Sequence, residues 1–300
     1  MQGHAGTGEP VLVVSPHPDD AAYSVGGLLS GRVLGRAVAG ATAFTRSPVV
    51  QYGRPTLSRL LGRPLDVLTS QPRVNRVRER IRVLEVSRLR KREDVDYFKA
   101  IGVPRTDLDL LDAPLRGYGW SPWVSDTKEV MQDPIFKTAV SLFGDLIMSL
   151  CAPQSSSADA SGRTRLRSPC VLLLPLGIGG HVDHLIVREA CSGLTQDHVS
   201  IYYEDLPYAE RVTEGEIERV VDDFEPALEP HLFDIKTSMA QKVQNLRLFR
   251  TQVGDKEVER VVRYSKRLKA GGEPCERLWY GRLPEDSASR VALEEAERSH

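Results

Sequence analysis

Two short apolar runs, VLVVS at 11–15 and CVLLL at 170–174, constrain this chain more than any other feature. Each is continuous rather than alternating and is rich in aliphatic side chains. That is how a strand buried on both faces reads. Such strands belong to parallel sheets, whose crossover helices cover both faces. The flanking pattern agrees: between Ala21 and Leu34, Val25, Leu28, Leu29, Val33 and Leu34 fall at mostly helical spacing, with Gly35 as the stop, and 37–44 reads as a second strand. The same reasoning predicts helices over 76–101, 134–151, 182–194 and 237–253, and strands over 108–111 and 199–203. The expected fold class is α/β, a three-layer arrangement with a mostly parallel sheet, in which ligands bind beyond the carboxyl ends of the strands.

Composition excludes several function classes. With 41% hydrophobic and 27% charged residues over 300 positions, the chain is neither disordered, collagenous nor coiled-coil. Its 40 basic and 41 acidic side chains give a net charge of -1, so no excess of positive charge points to nucleic acid or an anionic membrane. The four cysteines, Cys151, Cys170, Cys191 and Cys275, are scattered without a CxxC pair, which fits a reducing compartment. The first ten residues lack the basic and apolar regions of a signal peptide, and no apolar run approaches the ~20 residues of a membrane helix. The expectation is a cytoplasmic protein with a small-molecule partner and no integral membrane segment, and a homo-oligomer is compatible with the sequence.

Both buried runs are followed at once by metal-ligand residue types. Ser15-Pro16-His17-Pro18-Asp19-Asp20 follows the first, and Gly177-Ile178-Gly179-Gly180-His181-Val182-Asp183-His184 follows the second. In a parallel sheet both clusters lie on one rim. His17, Asp20 and His184 supply the three nitrogen and oxygen donors of a catalytic zinc site, in which an open position holds water, lowers its pKa and polarises a carbonyl. Asp19 is then the natural general base. His181, three residues before His184, would face the same cavity and serve the oxyanion, or in protonated form the leaving amine, while Asp183 would orient one of the histidines. Each motif alone has a plainer reading: HPDD as a turn in which Asp19 or Asp20 caps a helix, and HVDH as a helix start with two exposed histidines. Gly26-Gly27 matches neither phosphate-loop pattern and reads as helix packing.

The runs VVSPHPDDAAYSVGG (13–27) and GIGGHVDH (177–184) resemble the N-acetylglucosaminyl-phosphatidylinositol de-N-acetylases and their bacterial relatives, the LmbE-like (PIG-L) zinc deacetylases. The resemblance spans roughly residues 10 to 205 and is loose in the middle. It implies a Rossmann-like sheet, one zinc ion or another divalent metal per chain, and hydrolysis of an N-acyl group, most often acetyl, on an amino-sugar-like or specialised metabolite. By the same resemblance His17, Asp20 and His184 hold the metal, Asp19 is the base, His181 assists and Asp183 tunes a histidine. Arg90, in an RxxE-like segment expected at the head of a helix, and Asp112, at a strand end, are further substrate-binding candidates, with a solvated helix face and a strand-end cap as their plain alternatives. Arg116 and Glu204 join them, and Tyr118, Trp120 and Trp123 would form a wall or anchor a loop. Many relatives carry Glu after the Asp pair where this chain has Ala21, which marks a divergent member. The expected organisation is a flexible start over 1–10, one LmbE-like domain over 11–283 with inserted loops near 45–74 and 153–169, and a charged tail over 284–300. The alternatives left open are an amidase acting on a non-sugar natural product or thiol conjugate, a Rossmann-type nucleotide or S-adenosylmethionine binding protein, and a metal-binding protein without hydrolytic activity.

Overall fold

The computed structural model describes residues 9–32, 37–49, 51, 72–119, 122–124, 126–151, 170–194 and 198–281, with side chains of 72–79 excepted. The residues of VLVVS form strand β1 (Val11–Ser15), every one of them buried. β1 pairs in parallel with β2 (Val38–Thr42) on one side and with β4 (Val171–Pro175) on the other. Beyond β2 lies β3 (Arg105–Asp107), and beyond β4 lies β5 (Val199–Tyr203), both also parallel. Among the described residues the sheet has seven strands in the order β3-β2-β1-β4-β5-β7-β6. Its last two, β6 (Glu229–Asp234) and β7 (Cys275–Tyr280), run antiparallel to each other, and β7 runs antiparallel to β5.

The chain winds outward from β1 through β2 to β3, then returns to β4 and winds the other way to β5. Right-handed crossovers therefore place the helices of the two halves on opposite faces. α1 (Asp20–Ser30), α2 (Pro72–Ile101) and α7 (Met239–Leu246) pack together, and α3 (Thr127–Gln132), α4 (Phe136–Leu150) and α5 (Val182–Ser192) form a second group. α6 (Glu214–Phe224) and α8 (Asp255–Arg267) complete the C-terminal part. The winding reverses between β1 and β4, the place where open parallel sheets hold their ligands.

Close packing explains two glycines. A Cβ at Gly40 would lie 2.3 Å from the Phe98 ring, so glycine there lets α2 settle onto the sheet. A Cβ at Gly27 would lie 2.8 Å from Ile235, in agreement with the packing reading of Gly26-Gly27. Helix α1 is interrupted at Val25, and the freed N–H groups of Gly27 and Leu28 donate to the buried Glu276 carboxylate at 2.7 and 2.8 Å.

The structure moves several sequence-predicted boundaries. The third strand occupies 105–107 rather than 108–111, because Asp109 takes a left-handed conformation (φ 55°) that ends extended pairing, leaving Leu111 one isolated bridge to Arg46. The helix expected at 76 starts at Pro72, a residue tolerated in a first turn. The helix predicted over 237–253 covers only Met239–Leu246. α3, α6, α8, β6 and β7 were not anticipated. The expected flexible start up to residue 8, most of the 45–74 loop, the whole 153–169 loop, the 284–300 tail and Trp120 lie outside the described residues. No helix among the described residues is long and apolar enough to cross a membrane.

Candidate active site

The turn after β1 is tied by the last residue of that strand. Ser15 Oγ accepts the N–H of Ala21 at 3.0 Å and donates to the carbonyl of His17 at 2.5 Å. The Ala21 N–H in the first turn of α1 is thereby satisfied without Asp19, whose side chain makes no cap hydrogen bond. Asp20 Oδ2 accepts the His17 N–H at 2.7 Å and lies 3.1 Å from His17 Nδ1.

The turn after β4 depends on glycine. Gly177, Gly179 and Gly180 all have positive φ, at 85°, 86° and 70°, and a Cβ at Gly180 would lie 2.8 Å from the carbonyl oxygen of Val124. This loop delivers His181 to the N-cap of α5, where its Nδ1 accepts the Asp183 N–H at 3.2 Å. His184 follows in the first helical turn and is fully buried.

The two motifs meet. Donor atoms of His17, Asp20 and His184 lie within 4.8 Å of one another. His184 Nε2 is 3.3 Å from Asp20 Oδ2 and is buried without a hydrogen bond. Both histidines are held from behind by carboxylates. His17 Nε2 lies 2.9 Å from Asp183 Oδ2, and His184 Nδ1 lies 2.6 Å from Asp205 Oδ1. Asp205 is in turn fixed by the N–H groups of Gly177 and Ile178 at 2.7 and 2.8 Å. Histidine ligands of metals carry such carboxylate partners, which set tautomer and ring direction. His17 Nδ1, His184 Nε2 and Asp20 thus remain as inward donors, and the set fits a divalent metal. A second grouping, His17, His181 and Asp183, is equally compact. Its carboxylate is already engaged by His17, by the Ala113 N–H at 3.1 Å and by Arg116 Nη2 at 2.7 Å, so the first grouping is the one with donors to spare.

The local field supports this choice. Burial by itself would lower the His17 pKa, but hydrogen bonds with Asp112, Asp183 and Asp20 carry it well above the ordinary value. His184 is likewise lowered by burial and then raised by Asp20 and Asp205 to about 9. Burial works to raise Asp20, yet His184 and His17 hold it far below the usual carboxylate range. A divalent cation placed among these donors would replace the two imidazole protons. His181 behaves differently: burial, together with positive charge on His17 and His184, pushes it down to about 2. Its Nδ1 acts as an acceptor, so the ring is neutral with its proton on Nε2.

Asp19 lines the cleft, with Oδ1 3.2 Å from Arg90 Nη2, and burial raises its pKa against the pull of that guanidinium. Arg90 Nη1 donates to Ser47 Oγ at 3.0 Å, and Ser47 donates to Asp112. Arg90 and Asp112 therefore do reach the cleft, although Arg90 sits in the second half of α2 rather than at a helix head. Arg116 and Glu204 are not cleft-lining residues. Arg116 is spent on Asp133, Asp183 and the Leu111 carbonyl. Glu204 is turned away to Tyr264, Arg277 and Trp279, and the adjacent Asp205 takes the site-facing position.

The cleft encloses about 290 Å³. Trp123, half exposed, stands edge-on to His181 and Tyr208 at 5.5 and 5.4 Å, held by its pairing with the second motif. Tyr118 instead lies under the Arg116 guanidinium. Tyr23, Gln51, Tyr208, Arg211, Gln252 and Glu257 also line the cleft and were not singled out from sequence. Tyr208 follows a strand end and was findable by that rule; the two glutamines carry no local signal.

No family model matches the sequence. The chain is 30% identical over 275 residues to a 2'-N-acetylparomamine deacetylase of Streptomyces fradiae, covering 90% of this chain and 81% of the relative. The protein belongs to the LmbE-like (PIG-L) deacetylase family. Solved structures extend the comparison within that family's fold. The zinc-inhibited form of teicoplanin deacetylase Orf2 aligns with a TM-score of 0.60 at 17% identity, over 93% of this chain and 100% of that one. The N,N'-diacetylchitobiose deacetylase of Pyrococcus horikoshii aligns with a TM-score of 0.51 at 14% identity, over 91% and 83%. At these identities the two likenesses speak for the fold alone, and they agree with an α/β architecture built on a mostly parallel sheet.

Proposed function

We propose that the protein is a metal-dependent N-deacetylase that hydrolyses an acetamido group on an amino-sugar-bearing specialised metabolite. The observation that carries this is the convergence of His17 Nδ1, His184 Nε2 and Asp20 in a buried cluster whose histidines are both backed by carboxylates. His17, Asp20 and His184 would hold one divalent ion per chain, and their imidazole and carboxylate chemistry suits zinc. When bound, the ion would acidify a water and polarise the amide carbonyl.

The remaining steps belong to the chain's own groups. Asp19 takes a proton from the attacking water as oxygen adds to the carbonyl carbon. The Arg90 guanidinium holds the Asp19 carboxylate in place. His181 presents Nε2–H to the carbonyl oxygen as negative charge develops there, a neutral donor that stabilises an oxyanion without reorganisation. As the tetrahedral adduct collapses, the proton held by Asp19 passes to the departing nitrogen, the C–N bond breaks, and a free amine and acetic acid result, the acid losing its remaining proton to solvent to give acetate. Trp123 and Tyr208 offer flat faces to a sugar ring, while Gln51 and Gln252 offer hydrogen bonds to its hydroxyls. The deacetylase relative over nine-tenths of the chain supports the acetyl group and the amino-sugar class.

The nucleotide-binding reading is disfavoured by the start of α1. A pyrophosphate would need free N–H groups and positive potential there. Instead Ser15 occupies the Ala21 N–H and two carboxylates, Asp19 and Asp20, stand at the helix start.

The test is acetate release by metal-loaded protein from N-acetylated aminoglycoside precursors, N-acetyl amino sugars and simple acetamides. Chelator-sensitive release from the sugar amides, with simple acetamides poor, is the expected result. Inactivity on the whole panel with full metal occupancy would overturn the proposal.

A further inference from the structure

A second group of metal-ligand side chains lies at the other end of the same strands. Cys151 closes α4, Cys170 stands one residue before β4, and His198 one residue before β5. β4 and β5 are parallel neighbours, and the Val199 N–H donates to the Cys170 carbonyl at 3.0 Å, so Cys170 and His198 arrive side by side. Packing of α4 against α5 brings Cys151 to them. The two sulfurs and a ring nitrogen of His198 lie within 4.8 Å of one another, and both cysteines are buried. A five-residue strand at about 3.3 Å per residue separates this rim from the hydrolytic site by about 16 Å, so these residues have no part in that chemistry.

The spacing suits a metal. Cys170 Sγ lies 3.5 Å from His198 Nδ1. In a tetrahedral zinc site with Zn–S of about 2.3 Å and Zn–N of about 2.0 Å, adjacent sulfur and nitrogen donors stand about 3.5 Å apart. The Cys170 backbone N–H donates to the same Nδ1 at 3.3 Å, so that nitrogen is unprotonated, and a metal bound there would take its lone pair in exchange for this long hydrogen bond. A simple S–H to nitrogen hydrogen bond explains the Cys170–His198 contact, and Cys151, which is hydrogen-bonded to Cys170, adds a second sulfur to the same cluster.

We infer that Cys151, Cys170 and His198 form a sulfur-containing site for a thiophilic divalent cation such as zinc, which fastens the end of α4 to the amino ends of β4 and β5. Binding displaces one proton from each thiol to solvent, and a fourth position is left for water.

Cobalt(II) as the sole added metal distinguishes this site from the catalytic one, because only a thiolate ligand gives intense sulfur-to-cobalt charge-transfer absorption in the near ultraviolet. The band is expected in the reduced full-length protein and in His184→Ala, and it should vanish in Cys170→Ser. Should that buried substitution disturb folding, His198→Asn, at a half-buried position, should weaken the band in a protein whose circular dichroism is unchanged. Zinc content should be about two per chain in the parent and about one in His184→Ala or Cys170→Ser. Absence of the band in folded parent protein would overturn the inference. So would a Cys151–Cys170 disulfide in protein purified without oxidant.

Discussion

His17 and Asp183, 166 positions apart in the chain, meet with Nε2 2.9 Å from Oδ2, while the other oxygen of Asp183 is 2.7 Å from Arg116 Nη2. The carboxylate thus joins the first motif to the second and is itself fixed by a buried arginine. Replacing it by an amide of the same shape should leave His17 in place but less basic and less firmly directed. Asp183→Asn is expected to weaken metal affinity by about 10–100-fold, the usual consequence of removing a carboxylate behind a histidine ligand. Competition against a chromogenic chelator measures this; affinity equal to that of the parent protein would show that the contact is only structural.

Asp19 carries a different expectation, because it lies beside the proposed ligand Asp20 without being one of the three converging donors. Asp19→Asn should lower kcat by about 10²–10⁴-fold, the range for loss of a general base, with metal content retained. Elemental mass spectrometry and initial rates on the same preparation decide it. Full activity would remove Asp19 from the mechanism.

Glu204 and Asp205 are neighbours with opposite duties. Asp205→Asn should impair metal retention and turnover, because it holds His184 Nδ1. Glu204→Ala should instead cost about 3–5 kcal/mol of stability, since it strips a buried carboxylate from Arg277, and it should leave the KM of the folded protein unchanged. Denaturant titration and steady-state kinetics on both variants separate the two roles. An altered KM with unchanged stability in Glu204→Ala would return that residue to the substrate site.

A pH effect on stability should come from Asp94, buried on α2 with Oδ1 lacking a hydrogen bond and Oδ2 receiving Thr42 at 2.7 Å and Arg105. Burial raises its pKa to about 7 against the pull of Arg105. Because the folded value lies above the unfolded one, the stability this group contributes is fully present below the ordinary carboxylate pKa and is lost as pH rises through about 7. Relative to Asp94→Asn, the parent protein should lose stability between about pH 4 and pH 7. Urea midpoints of the two proteins across that range test the sign, and parallel pH profiles would contradict it.

The parts of the fold that were readable from sequence are those whose signal is local. VLVVS and CVLLL are apolar on both faces because helices cover both sides of the sheet there, and they appear as β1 and β4 within a residue of their expected ends. β6 was missed because it is an edge strand: Glu229, Pro230 and Leu232 are exposed, so it shows neither a continuous apolar run nor clean alternation. β7 is largely buried but follows a turn and a charged helix with no parallel unit of its own.

What the sequence by itself determined was the rim and its candidate site residues: a strand and a tight turn carrying His17, Asp19 and Asp20, and a strand with a glycine turn carrying His181, Asp183 and His184. Chain neighbours suffice for that. Only the tertiary structure decided which carboxylate stands behind which histidine, that His181 Nδ1 caps the helix at the Asp183 N–H, and that Arg116 is locked in a buried ion pair. It also decided between Glu204 and Asp205, for near a strand end consecutive side chains point to opposite sides, and no local pattern says which side the His17, Asp20 and His184 cluster will occupy. That choice rests on β1 and β4 lying next to each other across more than half the chain, a contact set by packing of the whole sheet.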